Sequence, residues 1–203
     1  MNFQEVIQQM VRSPQIHARF MNTLSFLEYI GARKILKSQN ANSITFQVLA
    51  HAAEEIRHAQ TLKKVALKLS QGELDTYSFE HLLCGLEASR YIQTLDRAVE
   101  NELGEKNPWL NYLYTTLLIE ERANLVYPFY EPLLAECGFP GVLKAIVREE
   151  DHHLKEIEAE LKNSEGLAES RLNLLRDLEK KAFQEFISAV GSAMLKTEPS
   201  PSL

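Results

Sequence analysis

Glu54-Glu55-Ile56-Arg57-His58 and Glu149-Glu150-Asp151-His152-His153 are two versions of one pattern. In each, a glutamate stands three residues before a histidine, Glu55 before His58 and Glu150 before His153. Residues three apart share a helix face, so each pair can aim a carboxylate and an imidazole at one point. Upstream of each pair lies a further glutamate in a similar setting, Leu27-Glu28-Tyr29 before the first and Ile119-Glu120-Glu121 before the second. Four carboxylates and two imidazoles converging between helices form the ligand set of a two-metal centre.

A glutamate on a helix is usually solvated, so its neighbours on the same face decide the matter. Glu28 shares its column with Met21, Leu24, Gly31, Ala32 and Ile35, and Glu55 with Val48, Ala52, Ala59 and Leu62. Glu120 goes with Leu113, Leu117, Ala123 and Tyr127, and Glu150 with Leu143, Ile146, Val147, Leu154 and Ile157. All four point with the apolar stripe, toward the core. Burying an ionised carboxylate is costly unless it is paired or bound to a cation. Arg57 and Arg148 lie off these columns and no Lys or Arg lies on them, so a core of ordinary ion pairs lacks its cations. Two divalent ions would balance the four carboxylates, and mixed oxygen and imidazole donors suit iron, manganese or zinc.

Hairpin geometry supports the same grouping. Two antiparallel helices joined by a tight turn bring residues equidistant from the turn to one height. The midpoint of Glu28 and Glu55 falls between residues 41 and 42, inside the polar run Gln39-Asn40-Ala41-Asn42. The midpoint of Glu120 and Glu150 is residue 135, just before the break from Glu136 to Pro140.

Outward from these points the chain reads as all-α: a four-helix bundle with one long crossover and additional helices. Ser13-Pro14 opens a helix to about Ser38, and the next runs from about Ser43 to Leu69. Ser70-Gln71-Gly72 ends it, and Asp75 to Ser78 caps a third helix reaching about Leu103. Asn107-Pro108 opens a fourth, which Pro128 and Pro132 are expected to kink or interrupt before Gly138. A fifth spans about Pro140 to Lys162 and a sixth about Leu167 to Leu195; a short helix can precede Ser13. Residues 1–195 form one domain, and 196–203 read as a flexible tail. No segment carries a strand alternation.

At 203 residues the chain can bury a sizeable core without disulfides. A net charge of −6 argues against broad binding to nucleic acid or to an anionic membrane surface. Lys63, Lys64 and Lys68 read as a solvated helix face. Cys84 and Cys137 are far apart in sequence and read as buried free thiols. With no signal segment at Met1 to Glu5 and only short apolar runs, the expected location is the cytoplasm.

Residues beside the six candidate ligands carry weaker signals. His51, one turn before Glu55, reads as a partner behind the ligands or as a satisfied core histidine. Asn124, one turn after Glu120, is placed on the substrate side. His153 aligns with His58, leaving His152 and Glu149 as the alternative frame. Tyr29 and Tyr127 are core or supporting aromatics. Glu54 and Glu149 lie about 100° round the helix from the ligands and are expected to take no part. Arg57 and Glu121 receive no role.

The pattern E…ExxH…E…ExxH resembles the ferritin-like superfamily of di-iron carboxylate proteins. The resemblance implies that Glu28, Glu55, His58, Glu120, Glu150 and His153 bind two irons, with Glu55 and Glu150 bridging them. It is specific for the superfamily, not for a member. The chain lacks the C-x-x-C pairs of rubrerythrins. It has Leu62 where ribonucleotide reductase small subunits place a radical tyrosine, and Asn124 where bacterial multicomponent monooxygenases carry threonine. The long stretch between His58 and Glu120 looks more like the compact di-iron oxygenases, such as aldehyde-deformylating oxygenases and tRNA hydroxylases. Two functions follow from the resemblance. One is a dioxygen-activating oxygenase or oxidase acting on a small organic or modified-nucleoside substrate, served by a separate electron donor, with tRNA not excluded and a homodimer allowed. The other is iron or peroxide handling without an organic substrate.

Overall fold

The structure, a computed structural model, describes residues 1–42, 44–104, 107–165 and 169–197. Those residues form seven α-helices: α1 (Phe3–Met10), α2 (Pro14–Lys37), α3 (Phe46–Leu69), α4 (Gly85–Leu103), α5 (Pro108–Glu136), α6 (Val142–Glu165) and α7 (Glu169–Thr197). A single 3-10 turn, Phe79–His81, precedes α4. No strand occurs among the described residues, and no described helix is long and apolar enough to cross a membrane.

Local chemistry sets the helix starts. Asn2 and Glu5 form a reciprocal capping box at α1. The Thr45 side chain accepts from the Val48 amide at α3, and Asn107 accepts from Leu110 ahead of Pro108 at α5. Pro14 opens α2 as the sequence indicates, but the Ser13 side chain makes no capping bond. Ser43, expected to open the second long helix, lies outside the described residues, and α3 begins at Phe46.

Two antiparallel hairpins hold the centre of the molecule. α2 packs along α3 and α5 along α6. The hairpins meet where Arg57 of α3 reaches Glu149 of α6, and where the Tyr127 hydroxyl of α5 donates to Glu28 of α2. α4 lies in the connection between the hairpins and packs on α7 and α5, while α1 packs on α7. Apolar side chains form two clusters. One gathers Met21, Leu24, Leu62, Tyr127, Tyr130 and Phe186; the other gathers Ile35, Val48, Ala52, Leu113, Leu117 and Ile157. Along α2, Glu28 lies between Leu24 and Ile35; along α3, Glu55 lies between Ala52 and Leu62, so the glutamates occupy the layer separating the two clusters.

Five expectations are corrected. The helix foreseen from Asp75–Ser78 begins only at Gly85. The preceding stretch is held open by side chains from distant helices: Asn22 donates to the carbonyls of Thr76 and His81, Lys63 donates to those of Leu74 and Thr76, and Ser25 pairs with the Tyr77 hydroxyl. Lys63 is therefore not a solvated residue, although Lys64 and Lys68 are exposed. Pro128 and Pro132 do not interrupt α5, which is continuous from Pro108 to Glu136. Both prolines are exposed, so the carbonyls they leave without an amide partner lie toward water. Lys196 and Thr197, placed in the tail by sequence, complete α7; residues 198–203 lie outside the described residues. Cys84 and Cys137 are unpaired and half-buried rather than buried.

His17 on α2 is 1% exposed, and neither ring nitrogen has a hydrogen-bond partner among the described residues. Burial pushes its pKa from 6.5 down to about 4. The unfolded chain therefore takes up a proton near pH 6.5 that the folded chain refuses until about pH 4. Folding stability falls as pH drops through that window, by about 3 kcal/mol from this residue. His17→Leu should remove that portion of the pH dependence, and denaturant unfolding of both proteins between pH 7 and pH 4 would measure it.

Candidate metal centre

Glu28 projects from α2, His51, Glu55 and His58 from α3, Glu120 from α5, and Glu150 and His153 from α6. None of the seven is more than 9% exposed. Their donor atoms form two groups, each with all atoms within 4.8 Å of one another: His51, Glu55, Glu120 and His153, and Glu28, Glu55, His58 and Glu150. Glu55 belongs to both. The structure thus brings together the six residues selected from the sequence and adds His51, which was expected to stand behind them. His152 is exposed, so the frame with His153 inward is the one the fold adopts.

The inner faces of these side chains are short of partners. His51 Nε2, His58 Nδ1, His153 Nδ1, Glu120 Oε2 and Glu150 Oε2 are buried without a hydrogen bond. His51 Nε2 lies 3.2 Å from Glu120 Oε1 and 3.4 Å from Glu55 Oε1, and His58 Nδ1 lies 2.9 Å from Glu150 Oε1. Buried polar atoms are seldom left this way without a reason. Oxygen and imidazole donors converging with free lone pairs fit a pair of divalent cations, although the identity of the ions does not follow.

The electrostatics show what such ions would replace. Burial, reinforced by Glu55 and Glu150, raises the pKa of Glu28. Burial and the neighbouring Glu150 raise Glu120 to about 8. Burial works against ionisation of Glu150 as well, but the adjacent Glu120, His153 and His58 outweigh it and hold this group well below the usual carboxylate range. Burial also opposes protonation of the imidazoles, yet the surrounding carboxylates raise His51 to about 9, His58 to about 10 and His153 to about 11. With no metal bound, protons held on the imidazoles offset carboxylate charge in the layer. They are the cations that inspection of Lys and Arg positions did not find. Metal ions would displace them.

A supporting ring surrounds the donors, and most of it was not foreseen. His58 Nε2 pairs with Glu149 at 2.7 Å and His153 Nε2 with Glu54 at 2.5 Å, so each hairpin orients the other's histidine. Arg57 joins the two carboxylates, 2.8 Å from Glu149 and 3.5 Å from Glu54. His51 Nδ1 meets the Tyr112 hydroxyl at 2.9 Å. Tyr127 donates to Glu28, fixing it from α5. A Cβ at Gly31 would stand 2.8 Å from Glu55 Oε2, so the absence of a side chain there gives that carboxylate its place. The signal for Glu54 and Glu149 was their identical position, one residue before each Glu-x-x-His. Tyr29 stacks on Tyr77 away from the donors, and Glu121 is paired with Arg176 of α7.

Two cavities reach the carboxylates of this layer, and a third, about 360 Å³, reaches His51 and His153. The first, about 90 Å³, has walls of Phe20, Leu24, Val126, Phe183 and Ile187, together with Glu28, Glu55, Glu120 and Glu150. Arg122 also lines it, but its guanidinium is paired with Glu179, which accepts in addition from Tyr91 at 2.6 Å. The second, about 420 Å³, is more polar, and Gln93, Asn111, Thr115 and Thr116 line it beside His51, Glu55 and Glu120. Asn124 is half-buried on α5 and is not among the residues lining these two cavities.

Comparison of the chain with family models, with curated proteins and with solved structures returned no match. The case for a metal centre is carried by the residues and their geometry.

Glu55→Ala should abolish binding of both metals, because Glu55 is common to both donor groups. Glu54→Gln and Glu149→Gln should leave the fold intact but weaken metal affinity about 10- to 100-fold, the usual effect of losing a carboxylate behind a ligating histidine. Calorimetric titration of the metal-free proteins with zinc, alongside helical content by circular dichroism, checks both. Unchanged affinity in both Gln variants would deny the outer carboxylates any part.

Proposed function

We propose that this chain is a di-iron oxidoreductase of the ferritin-like type that uses dioxygen to oxidise an apolar group of a small organic substrate. In this reading the four helices α2, α3, α5 and α6 are the metal-bearing bundle, α4 lies within its long crossover, and the protein works in the cytoplasm with electrons from a separate donor. The observation that carries the reading is the apolar cavity walled by four of the candidate ligands. Metal storage or peroxide removal has no use for such a space, whereas an oxygenase must hold a C–H bond beside its metals.

A bound iron pair would supply the redox chemistry. The chain's residues hold and shield it. Glu28, Glu55, His58, Glu120, Glu150 and His153 would hold the two ions, and manganese or zinc could occupy the same donors. The crossed pairs His58–Glu149 and His153–Glu54 hold each ring with its inner nitrogen toward the carboxylates, which supports ligation through that nitrogen. Tyr127 donates to Glu28 and fixes that carboxylate from α5. Phe20, Leu24, Val126, Phe183 and Ile187 exclude water from the side on which a substrate would lie. The two cations that line the cavity are already paired, Arg122 with Glu179 and Lys34 with Asp96, which disfavours an anionic head group. Its volume of about 90 Å³ is smaller than a cavity of roughly 150 Å³ that admits benzene, so a slim aliphatic group or a short chain fits best.

The reading is tested by reloading metal-free protein with ferrous iron under argon and then admitting oxygen with a reductant and a panel of small apolar compounds. Wild type should retain about two irons per chain, as two donor groups require, and consume oxygen faster with a fitting compound. Ala123→Leu, which fills the apolar cavity from α5, should keep its iron and lose that stimulation. Iron accumulating far beyond two per chain as mineral would instead identify a storage protein. Oxygen uptake indifferent to every compound and to the Ala123 substitution would reject the oxygenase reading.

A further inference from the structure

The two halves of the centre differ at one position. One turn before Glu55 stands His51, whereas one turn before Glu150 stands Ile146, 2% exposed and part of the apolar core. His51 is itself only 6% exposed. All three buried imidazoles of the layer are presented alike: the outer nitrogen is hydrogen-bonded and the inner one has no hydrogen-bond partner. The outer pairs are His58 Nε2 with Glu149, His153 Nε2 with Glu54 and His51 Nδ1 with the Tyr112 hydroxyl. The inner nitrogens are His58 Nδ1, His153 Nδ1 and His51 Nε2. His51 and His153 also lie face to face, with ring centroids 4.1 Å apart at 36°. That packing brings two imidazole nitrogens to the same group of donors, with Glu55 and Glu120.

We infer that His51 is a direct metal ligand through Nε2, and that the two metal positions are therefore chemically unequal. The inference rests on the dinuclear reading above. One position takes His51, His153, Glu120 and the shared Glu55, two neutral imidazoles against one unshared carboxylate. The other takes Glu28, Glu150, His58 and the shared Glu55, one imidazole against two unshared carboxylates. Imidazole-rich donor sets suit late divalent ions such as cobalt, zinc and iron, whereas carboxylate-rich sets accept harder ions such as manganese. The first position should therefore fill first with a late divalent ion. Tyr112 makes this possible by accepting a hydrogen bond from Nδ1–H, which leaves the Nε2 lone pair for the metal.

Cobalt(II) is the probe, because a paramagnetic ion shifts the N–H resonances of the imidazoles bound to it. Metal-free full-length protein is titrated with cobalt(II) and followed by proton NMR and by calorimetry. The first equivalent should bring out two shifted imidazole N–H resonances, those of His51 and His153, and the second should add one, that of His58. His51→Gln should remove one resonance and abolish the tighter phase of binding while keeping the weaker one. Two resonances at saturation in wild type would overturn the assignment of His51 and leave the dinuclear centre standing. Three resonances rising together from the start would overturn the inequality of the positions. Failure of wild type to take up cobalt at all would overturn both this inference and the proposed function. The wild-type count does not depend on whether the variant folds.

Discussion

Neutralising a layer of buried carboxylates is the constraint on which this molecule depends. Glu28, Glu55, Glu120 and Glu150 lie between two apolar clusters, where water cannot share the charge. Charges so placed cannot all persist without cations among them. The fold answers by threading imidazoles through the same layer and closing its outer edge with Arg57, so that Glu28, Glu120 and Glu150 each meet a donor from another helix while Glu55 meets His51 of its own. The hairpins are thus joined at their middle by polar contacts and elsewhere by packing. The joint is reciprocal: α3 supplies the carboxylate that orients a histidine of α6, and α6 returns the arrangement.

Much of this was legible in the sequence, for a definite reason. A glutamate on an apolar helical column is anomalous, and four such anomalies at matched heights in two hairpins leave few geometries open. The helical class, both hairpins, the inward-facing histidine of His152-His153 and the convergence of six side chains all follow from periodicity and turn position. These are properties of one helix, or of two helices joined by a short turn.

What escaped depends on contacts between hairpins, which no single column encodes. Glu54, Glu149 and Arg57 sit on flanks that look solvated when each helix is taken alone; they become a ring only when α3 faces α6. The place of His51 in one of the donor groups was not read from the sequence, because a lone buried histidine is more often satisfied than ligating, and its partner Tyr112 lies on α5, distant in sequence. The segment before α4 failed likewise: its helix-capping residues are genuine, but Asn22 and Lys63 claim its carbonyls. Asn124, one turn from a candidate ligand, is not among the residues lining the apolar cavity, whereas Ala123 and Tyr127 of the same helix are.

Glu55 and Glu120 line both cavities together with Gly31, Lys34, Ile92 and Ile119, so the donor layer forms part of the partition between the apolar and the polar compartment. Each compartment has walls that the other lacks, Val126 and Ile187 on one side and Gln93 and Asn111 on the other. For protein engineering this is separability. Residues on one side can be exchanged to admit a different guest while the opposite side keeps its shape, so two libraries could be built on the two faces of one centre and combined afterward.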